Sequence, residues 1–363
     1  MTDKKPQPHG WLILDKPRGM GSTQAVGAVK RNLREAGYGP KSKDMPKVGH
    51  GGTLDPEAEG VLPIALGEAT KLAGRMLDAS KIYEFTVQFG EETDTLDAEG
   101  AVIATSNHRP PMAAVAAVLE HFTGDIEQFP PAYSALKVDG KRAYDLARAG
   151  EQVKLKSRAV TVYDLYFSLR PEPVEGLSIS SGAGLEKEDR ASTSSARTDV
   201  GLRSSFQTTA GRPDPFDPAA PLELADAVTL TAHVSKGTYI RSLARDIAHA
   251  LGTVGHVTYL RRIKAGPFRE DQAISLDNLN EIGKGAPLQD LLLPLEAGLD
   301  DIPALQLDPD SAQAVRQGRV ISDMPQADGL YLAKLESVPV ALVELGGGTM
   351  KVVRGFNLPD VAE

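Results

Sequence analysis

Gly49-His50-Gly51-Gly52-Thr53-Leu54-Asp55-Pro56 is the stretch from which the reading of this 363-residue chain starts. It ends a glycine-rich turn on one carboxylate and follows that carboxylate with proline. Glycines reach backbone conformations closed to other residues and let a bulky ligand come close. Proline holds the residue before it extended, so Asp55 does not slide into a helix. A carboxylate fixed in this way has two readings. It is a nucleophile, or it is a plain turn residue, since Asp-Pro commonly starts a turn or caps a helix. The segment alone leaves both open.

Upstream, residues 11–14 form an apolar strand that runs into a Lys16-Pro17-Arg18-Gly19 turn. Residues 22–36 have helical periodicity, with Ser22 as the cap and Ala25, Val26, Val29 and Leu33 on the apolar face. Downstream, residues 61–66 are a short apolar strand. Residues 81–89 alternate, with Tyr83, Phe85, Val87 and Phe89 on one face and Glu84, Thr86 and Gln88 on the other, the pattern of a half-buried strand. An acidic turn over 90–100 separates it from a strand at 101–104, and residues 112–122 are helical. Strands at 160–169 and 227–234 flank residues 171–220. In that stretch Ser, Thr, Gly and Pro take 22 of 50 positions, too few large apolar residues to offset the entropy of ordering. It is expected to be a disordered insertion. Ser235-Lys236-Gly237-Thr238 leads into a helix at 239–251, whose buried stripe is Ile240, Leu243, Ala244, Ile247 and Leu251 and whose end is Gly252. Arg241 and Arg245 lie off that stripe. Beyond residue 305, short β-like runs at 329–335, 338–345 and 350–353 suggest a small separate β unit. Strands and helices with few βαβ units predict an α+β body.

Composition narrows the chemistry. The chain has no cysteine, which removes disulfides, thiolate catalysis and cysteine-ligated metals. No apolar run reaches the ~18 residues that span a bilayer, and residues 1–6 do not resemble a signal peptide, so the expected setting is the cytoplasm. The net charge is −9, but it is unevenly spread. Residues 1–81, 137–170 and 231–269 carry +4, +4 and +6, against −8, −5 and −10 for 82–136, 171–230 and 270–363. Basic blocks separated by acidic ones suit a nucleic-acid cleft on an acidic body, or simply a solvated surface.

Taken singly, His50 reads as a turn residue, Tyr83 and Tyr239 as core or strand-edge aromatics, Arg241 as a solvated helix residue and Leu260 as core. Taken together and in this order, residues 49–56, Ser235-Lys236-Gly237-Thr238-Tyr239-Ile240-Arg241-Ser242 and Leu260-Arg261-Arg262 resemble the TruB family of bacterial tRNA pseudouridine synthases. The resemblance covers residues 10–170 and 221–269, with a weaker echo at 300–357. It implies an α+β fold: a catalytic domain with a mixed or antiparallel sheet over 10–295, interrupted by the insertion at 171–220. A flexible N-terminus (1–9) precedes it and a small PUA-like β domain (300–363) follows. It implies isomerisation of uridine 55 in the T-loop of tRNA to pseudouridine by a monomer with no cofactor, no metal, no membrane and no obligatory protein partner. Asp55 is then the catalytic aspartate, Tyr83 stacks on the target base and Arg241 pairs with the aspartate. His50, Tyr239 and Leu260 line the site, with Lys16 close by in the supporting loop. The chemistry suits these residue types. The C1′–N1 bond breaks, the uracil turns while bound, and C5 joins C1′, by attack of a carboxylate on the sugar carbon or by its addition to the base. Glu57 and Glu59 depart from the family pattern of apolar or small residues and are expected to face solvent.

Two other classes remain at this stage. One is an RNA-binding protein or RNA chaperone without catalysis, which does not need Asp55. The other is a metal-dependent phosphoryl-transfer enzyme with Asp94, Asp97 and Glu99 as ligands, although no phosphate-cradling Gly-x-x-x-x-Gly-Lys-Ser/Thr motif is present.

Overall fold

The computed structural model describes residues 6–39, 45–134, 136–138, 140–150, 155–168 and 223–358. The predicted insertion at 171–220 and residues 1–5 of the predicted flexible N-terminus lie outside them. Within that N-terminus Pro8 is buried, and His9 Nδ1 accepts the Glu68 backbone N–H at 3.1 Å.

In chain order, the first half of the body comprises β1 (Gly10–Lys16), α1 (Ser22–Glu35), β2 (Val48–His50), β3 (Glu59–Leu66), α2 (Ala73–Asp78), β4 (Lys81–Phe89), β5 (Glu91–Thr93) and β6 (Val102–Thr105). There follow α3 (Met112–Leu119), β7 (Gly124–Gln128), β8 (Lys137–Val138), β9 (Lys141–Arg142), α4 (Ala143–Arg148) and β10 (Arg158–Phe167). The second half holds β11 (Ala227–Val234), α5 (Ile240–Ala250), β12 (Gly255–Ala265), β13 (Phe268–Arg269) and α6 (Leu276–Gly283). The C-terminal unit is β14 (Ala304–Leu307), α7 (Pro309–Arg316), β15 (Gly329–Leu335), β16 (Val338–Gly346) and β17 (Thr349–Gly355).

Nine strands form one mixed sheet in the order β1-β3-β12-β4-β11-β10-β7, with β2 on β3 and β13 on β12. The β12–β3 pairing is parallel and the others are antiparallel. The apolar run of β1 serves two cores at once. Trp11 and Ile13 point into one cluster with Val61 and Ala65, while Leu12 and Leu14 pack with α1 and α6 through Ala25, Val29, Leu279 and Ile282. A strand buried on both faces loses polar alternation, which is why this segment is apolar throughout. β4 is likewise central, paired with β11 and β12. Its second face is therefore covered rather than wet: Glu84 and Thr86 are buried, Glu84 accepting from the Ser168 hydroxyl and Thr86 sharing a 2.8 Å bond with Thr229. The half-buried pattern expected of residues 81–89 thus understates its burial.

The second sheet, β14-β15-β16-β17, forms the small C-terminal β unit. Its Leu332, Leu342 and Phe356 enter the same cluster as Trp11, Met76 and Phe268. Trp11 is fully buried, donates from Nε1 to Leu295 O at 3.0 Å and meets the Phe268 ring at 5.1 Å. The site-bearing sheet and the C-terminal unit therefore share apolar contacts around one indole. Replacement of Trp11 by alanine is expected to cost about 3–5 kcal/mol of folding stability, read from denaturant midpoints. A loss below about 1 kcal/mol would show that the indole does not anchor this shared core.

Candidate active site

Asp55 stands on the loop between β2 and β3, and the loop is held from behind. Arg262 of β12 is buried and donates to Val61 O at 2.7 Å and to Gly52 O and Thr53 O at 3.2 Å. Lys16, at 0% exposure, gives its ammonium to Met20 O (2.7 Å), Pro17 O (2.9 Å) and Pro56 O (3.3 Å). Ser22 grips Leu54 twice, donating to its carbonyl at 2.9 Å and accepting its N–H at 2.8 Å. This corrects the helix cap expected at Ser22. α1 begins at Ser22 with Gly21 before it, and the hydroxyl is spent on the Asp55 loop.

The glycines also differ from expectation. A Cβ at Gly51 would stand 2.7 Å from Met76 Cβ, and Gly52 adopts φ +135°, where side chains strain. At Gly51 and Gly52 glycine answers close packing and a left-handed bend, whereas a Cβ at Gly49 would meet no atom within 4 Å. His50 Nδ1 faces the Gly52 N–H at 3.4 Å, and burial, with Arg262 adding to it, holds the imidazole below its ordinary pKa.

Arg241 supplies the partner of Asp55. The helix α5 buries its apolar stripe under the sheet, and Arg241 is itself buried rather than solvated. One guanidinium nitrogen stands 2.7 Å from Asp55 Oδ2; the other donates to Asp97 Oδ2 at 2.9 Å and to Thr95 O at 2.8 Å. Tyr133 O accepts a further bond at 3.1 Å. Asp97 comes from the turn of the β5–β6 hairpin, where Leu96 takes φ +63° and its carbonyl accepts the Val257 N–H. Sequence reading placed Asp97 among possible metal ligands. The structure gives it to Arg241, and it gives Asp94 to the Ala101 N–H and the Tyr133 hydroxyl. Among the described residues no group of three or more His, Cys, Asp or Glu is disposed to hold a metal ion.

These residues border a narrow, open cleft lined by Arg18, Asp55, Glu57, Ala58, Asp97, Ala98, Arg241 and residues 257–260. Asp55 is open to it, with 36% of its side chain exposed, and among the described residues no hydrogen bond engages its Oδ1. Leu260 lies in the cleft wall. Tyr83 shares its sheet face: Leu260 pairs with Phe85 and Arg262 with Tyr83, so all four side chains project to one side. Neither Tyr83 nor His50 is among the residues that line the cleft, and two further expected residues sit elsewhere. The backbone of Tyr239 is clasped by Gln128 at 2.8 and 3.1 Å and its ring lies 4.7 Å from the Arg158 guanidinium, outside the cleft lining. Lys16 is closed off behind the loop, where its ammonium holds three backbone carbonyls.

Glu57 and Glu59 do not face solvent as expected. Glu57 pairs with Arg18 at 2.6 Å, and Glu59 with Arg261 at 3.1 Å, which also holds Asp15 and Glu270. Nor do the basic blocks simply form an open cationic surface. Arg241, Arg261 and Arg262 are used internally, and Lys236 and Arg245 pair with Asp78 and Asp246.

A model of the TruB family pseudouridylate synthase N-terminal domain matches residues 41–184, and one of the tRNA pseudouridylate synthase B C-terminal domain matches residues 241–300. The chain is 59% identical over 354 residues to tRNA pseudouridine synthase B of Novosphingobium aromaticivorans, covering 98% of this chain and 99% of the relative. It is 49% identical to the protein of that name from Zymomonas mobilis, covering 96% of each. Among solved structures it superposes on a chain of an H/ACA RNP bound to a substrate RNA containing 2′-deoxyuridine. The TM-score is 0.61 at 22% identity, with 96% of this chain and 86% of the other covered. A chain of an archaeal box H/ACA Nop10–Cbf5 complex gives 0.59 at 21%, covering 98% and 89%. At such identities the likeness carries the fold.

Two outcomes follow from this geometry. Asp97→Asn removes the charge behind Arg241 and is expected to lower stability by about 1.5–3 kcal/mol in chemical denaturation; an unchanged midpoint would show that the pair does not anchor the guanidinium. Lys16 is the second. Desolvation, countered by Asp55, pulls its pKa down from 10.5 to about 8. Between those values the unfolded chain binds the proton that the folded chain has released, so stability rises with pH through that window. Lys16→Met is expected to reduce that rise, measured as urea midpoints on either side of it.

Proposed function

The chain belongs to the TruB family of pseudouridylate synthases, and from that premise we propose that it converts uridine 55 in the T-loop of tRNA to pseudouridine, with Asp55 as the reacting carboxylate. It is a tRNA-modifying isomerase by family; the position in tRNA and the residue roles are the proposed part. The observation that carries the reading is the 2.7 Å pair between Arg241 and Asp55 at the floor of a cleft.

The chemistry is a closed exchange. The C1′–N1 bond breaks, the uracil turns in place and C5 bonds to C1′; C5 gives up a proton and N1 ends protonated. A carboxylate can attack or stabilise the sugar carbon, or add to the base, and both routes ask for an ionised Asp55 with a free oxygen. Arg241 holds Oδ2, and among the described residues no hydrogen bond engages Oδ1. Because Asp97 fixes the far end of the guanidinium, Arg241 is oriented before substrate arrives, as electrostatic preorganisation requires. The target base must leave its stack to reach this depth. Tyr83, on the sheet face that carries Leu260, is the proposed stacking partner, and its hydroxyl the proposed proton carrier. His50 and Lys16 act through the loop, and Tyr239 as the end of α5. The protein acts alone, as a cytoplasmic monomer. No helix among the described residues is long and apolar enough to cross a membrane.

An RNA-binding protein without catalysis would not need the aspartate pair, and this separates the readings. The purified chain is incubated with an unmodified T-arm transcript and nothing else, and pseudouridine is mapped. Conversion at position 55 is expected, lost in Asp55→Asn and reduced roughly 10- to 100-fold in Asp97→Asn through misplacement of Arg241. Product formed equally by Asp55→Asn, or at another position, would overturn the assignment.

A further inference from the structure

Arg18 lines the same cleft as Asp55 and Arg241, but its guanidinium is half exposed where that of Arg241 is buried. The turn that carries it is rigid. Pro17 precedes it, Gly19 at φ +81° follows, and the Gly19 N–H donates to Pro56 O at 2.9 Å, beside the Lys16 ammonium. The backbone that carries Arg18 is therefore tied to the Asp55 turn at Pro56.

Its partner in the free protein is Glu57. Arg18 Nε and a terminal nitrogen both reach Oε2 of that carboxylate, at 2.7 and 2.6 Å. The same N–H groups serve a phosphate, which arginine takes through parallel bonds to its oxygens. Glu57 has an unfavourable neighbour on its other side. The Glu99 carboxyl is pushed up in pKa by desolvation and by its hydrogen bond to Glu57, with Arg148 opposing the rise, so carboxyl groups crowd the side of Glu57 away from Arg18. An ion pair with a half-exposed arginine is weakly held, and a polyanion competes for it directly.

We propose that Arg18 is a phosphate-binding residue of the site and that Glu57 occupies its guanidinium in the free protein, so that substrate RNA enters by exchanging one anion for another. This rests on the reading of the substrate as RNA. The contact is to the backbone beside the flipped nucleotide, and phosphate contacts carry no sequence information. Glu57 therefore weakens every RNA alike, and those with additional contacts in the cleft prevail.

The test is equilibrium binding of a labelled, unmodified T-arm stem-loop over a range of salt, with wild type, Glu57→Gln, Arg18→Gln, Arg18→Lys and the double variant Arg18→Gln/Glu57→Gln. Glu57→Gln is expected to tighten binding about two- to fivefold, the fold-change of a partly exposed ion pair. Arg18→Gln is expected to weaken binding and to reduce the salt slope by about 0.7–0.9, the share of one phosphate; Arg18→Lys keeps the slope. In the double variant the Glu57 effect should vanish, because its target is gone. Tightening by Glu57→Gln that persists without Arg18 would make Glu57 a general repulsive charge and overturn the proposal, as would an Arg18→Gln variant with an unchanged slope. Pseudouridine formation by the wild type on the same RNA is scored separately. Its absence counts against the proposed function, whereas conversion with an additive pair of variants counts against the exchange alone.

Discussion

A buried guanidinium must be paired, and that requirement at Arg241 organises the site. Its helix is fixed by an apolar stripe under the central strands, so the charge cannot retreat to solvent. The acceptors must come to it, and they come from three separate stretches: Asp55 from the loop after β2, Asp97 and Thr95 from the β5–β6 turn, and Tyr133 from the segment after β7. Removing one partner of such a buried set leaves an uncompensated charge, which is more costly than the pair was favourable. Asp97 is closed into the protein and acts as the permanent counter-charge, which leaves the more open Asp55 as the partner that can also meet a substrate.

The same logic extends to the backbone behind the loop. A tight turn against a sheet edge buries carbonyls that strand pairing does not satisfy, and those carbonyls need donors. Cations supply them. Arg262 and Lys16 cap six carbonyls, those of Gly52, Thr53 and Val61 and those of Pro17, Met20 and Pro56, well beyond the reach of one ordinary amide. Lys81 repeats the device at the end of α2, with Met76, Leu77 and Ala79 as acceptors. Charges of the basic blocks that suggested a polyanion cleft are in part structural donors. The cost shows in the lysines: desolvation brings both Lys16 and Lys81 down to about 8.

This explains which parts of the fold and site were legible in the sequence. Strands and helices followed apolar periodicity, and the Asp55 turn was marked by glycine and proline because its backbone is unusual. The partnership of Asp55 with Arg241 came from resemblance, since nothing local separates a buried helix arginine from a solvated one. Asp97 was not legible as its second partner. It sits three residues from Asp94 in one acidic run, and only the left-handed turn at Leu96 separates their surroundings. Ser22 has the chemistry of a cap and was read as one; its hydroxyl is used across 32 residues of chain instead. Glu57 and Glu59 were expected in solvent for the same reason, because their arginine partners lie 39 and 202 residues away. Periodicity sees neighbours along the chain, and these contacts join residues far apart in it.

Taken together, the charges in the cleft are already matched within the protein. Arg241 is shared by two carboxylates and Arg18 is taken by Glu57. An anionic substrate therefore finds no unpaired cation among the described residues lining the cleft, and its binding must be an exchange of partners. The two pairs differ in how far they can yield. Arg241 is anchored by Asp97 and by backbone carbonyls whether or not Asp55 stays with it, so Asp55 can shift toward a reacting centre without stranding a buried charge. Arg18 is half in water and loses little when Glu57 leaves. The site combines one cation that must not move with one that readily changes partner, and that division lets a protein of net charge −9 present a cleft to a polyanion.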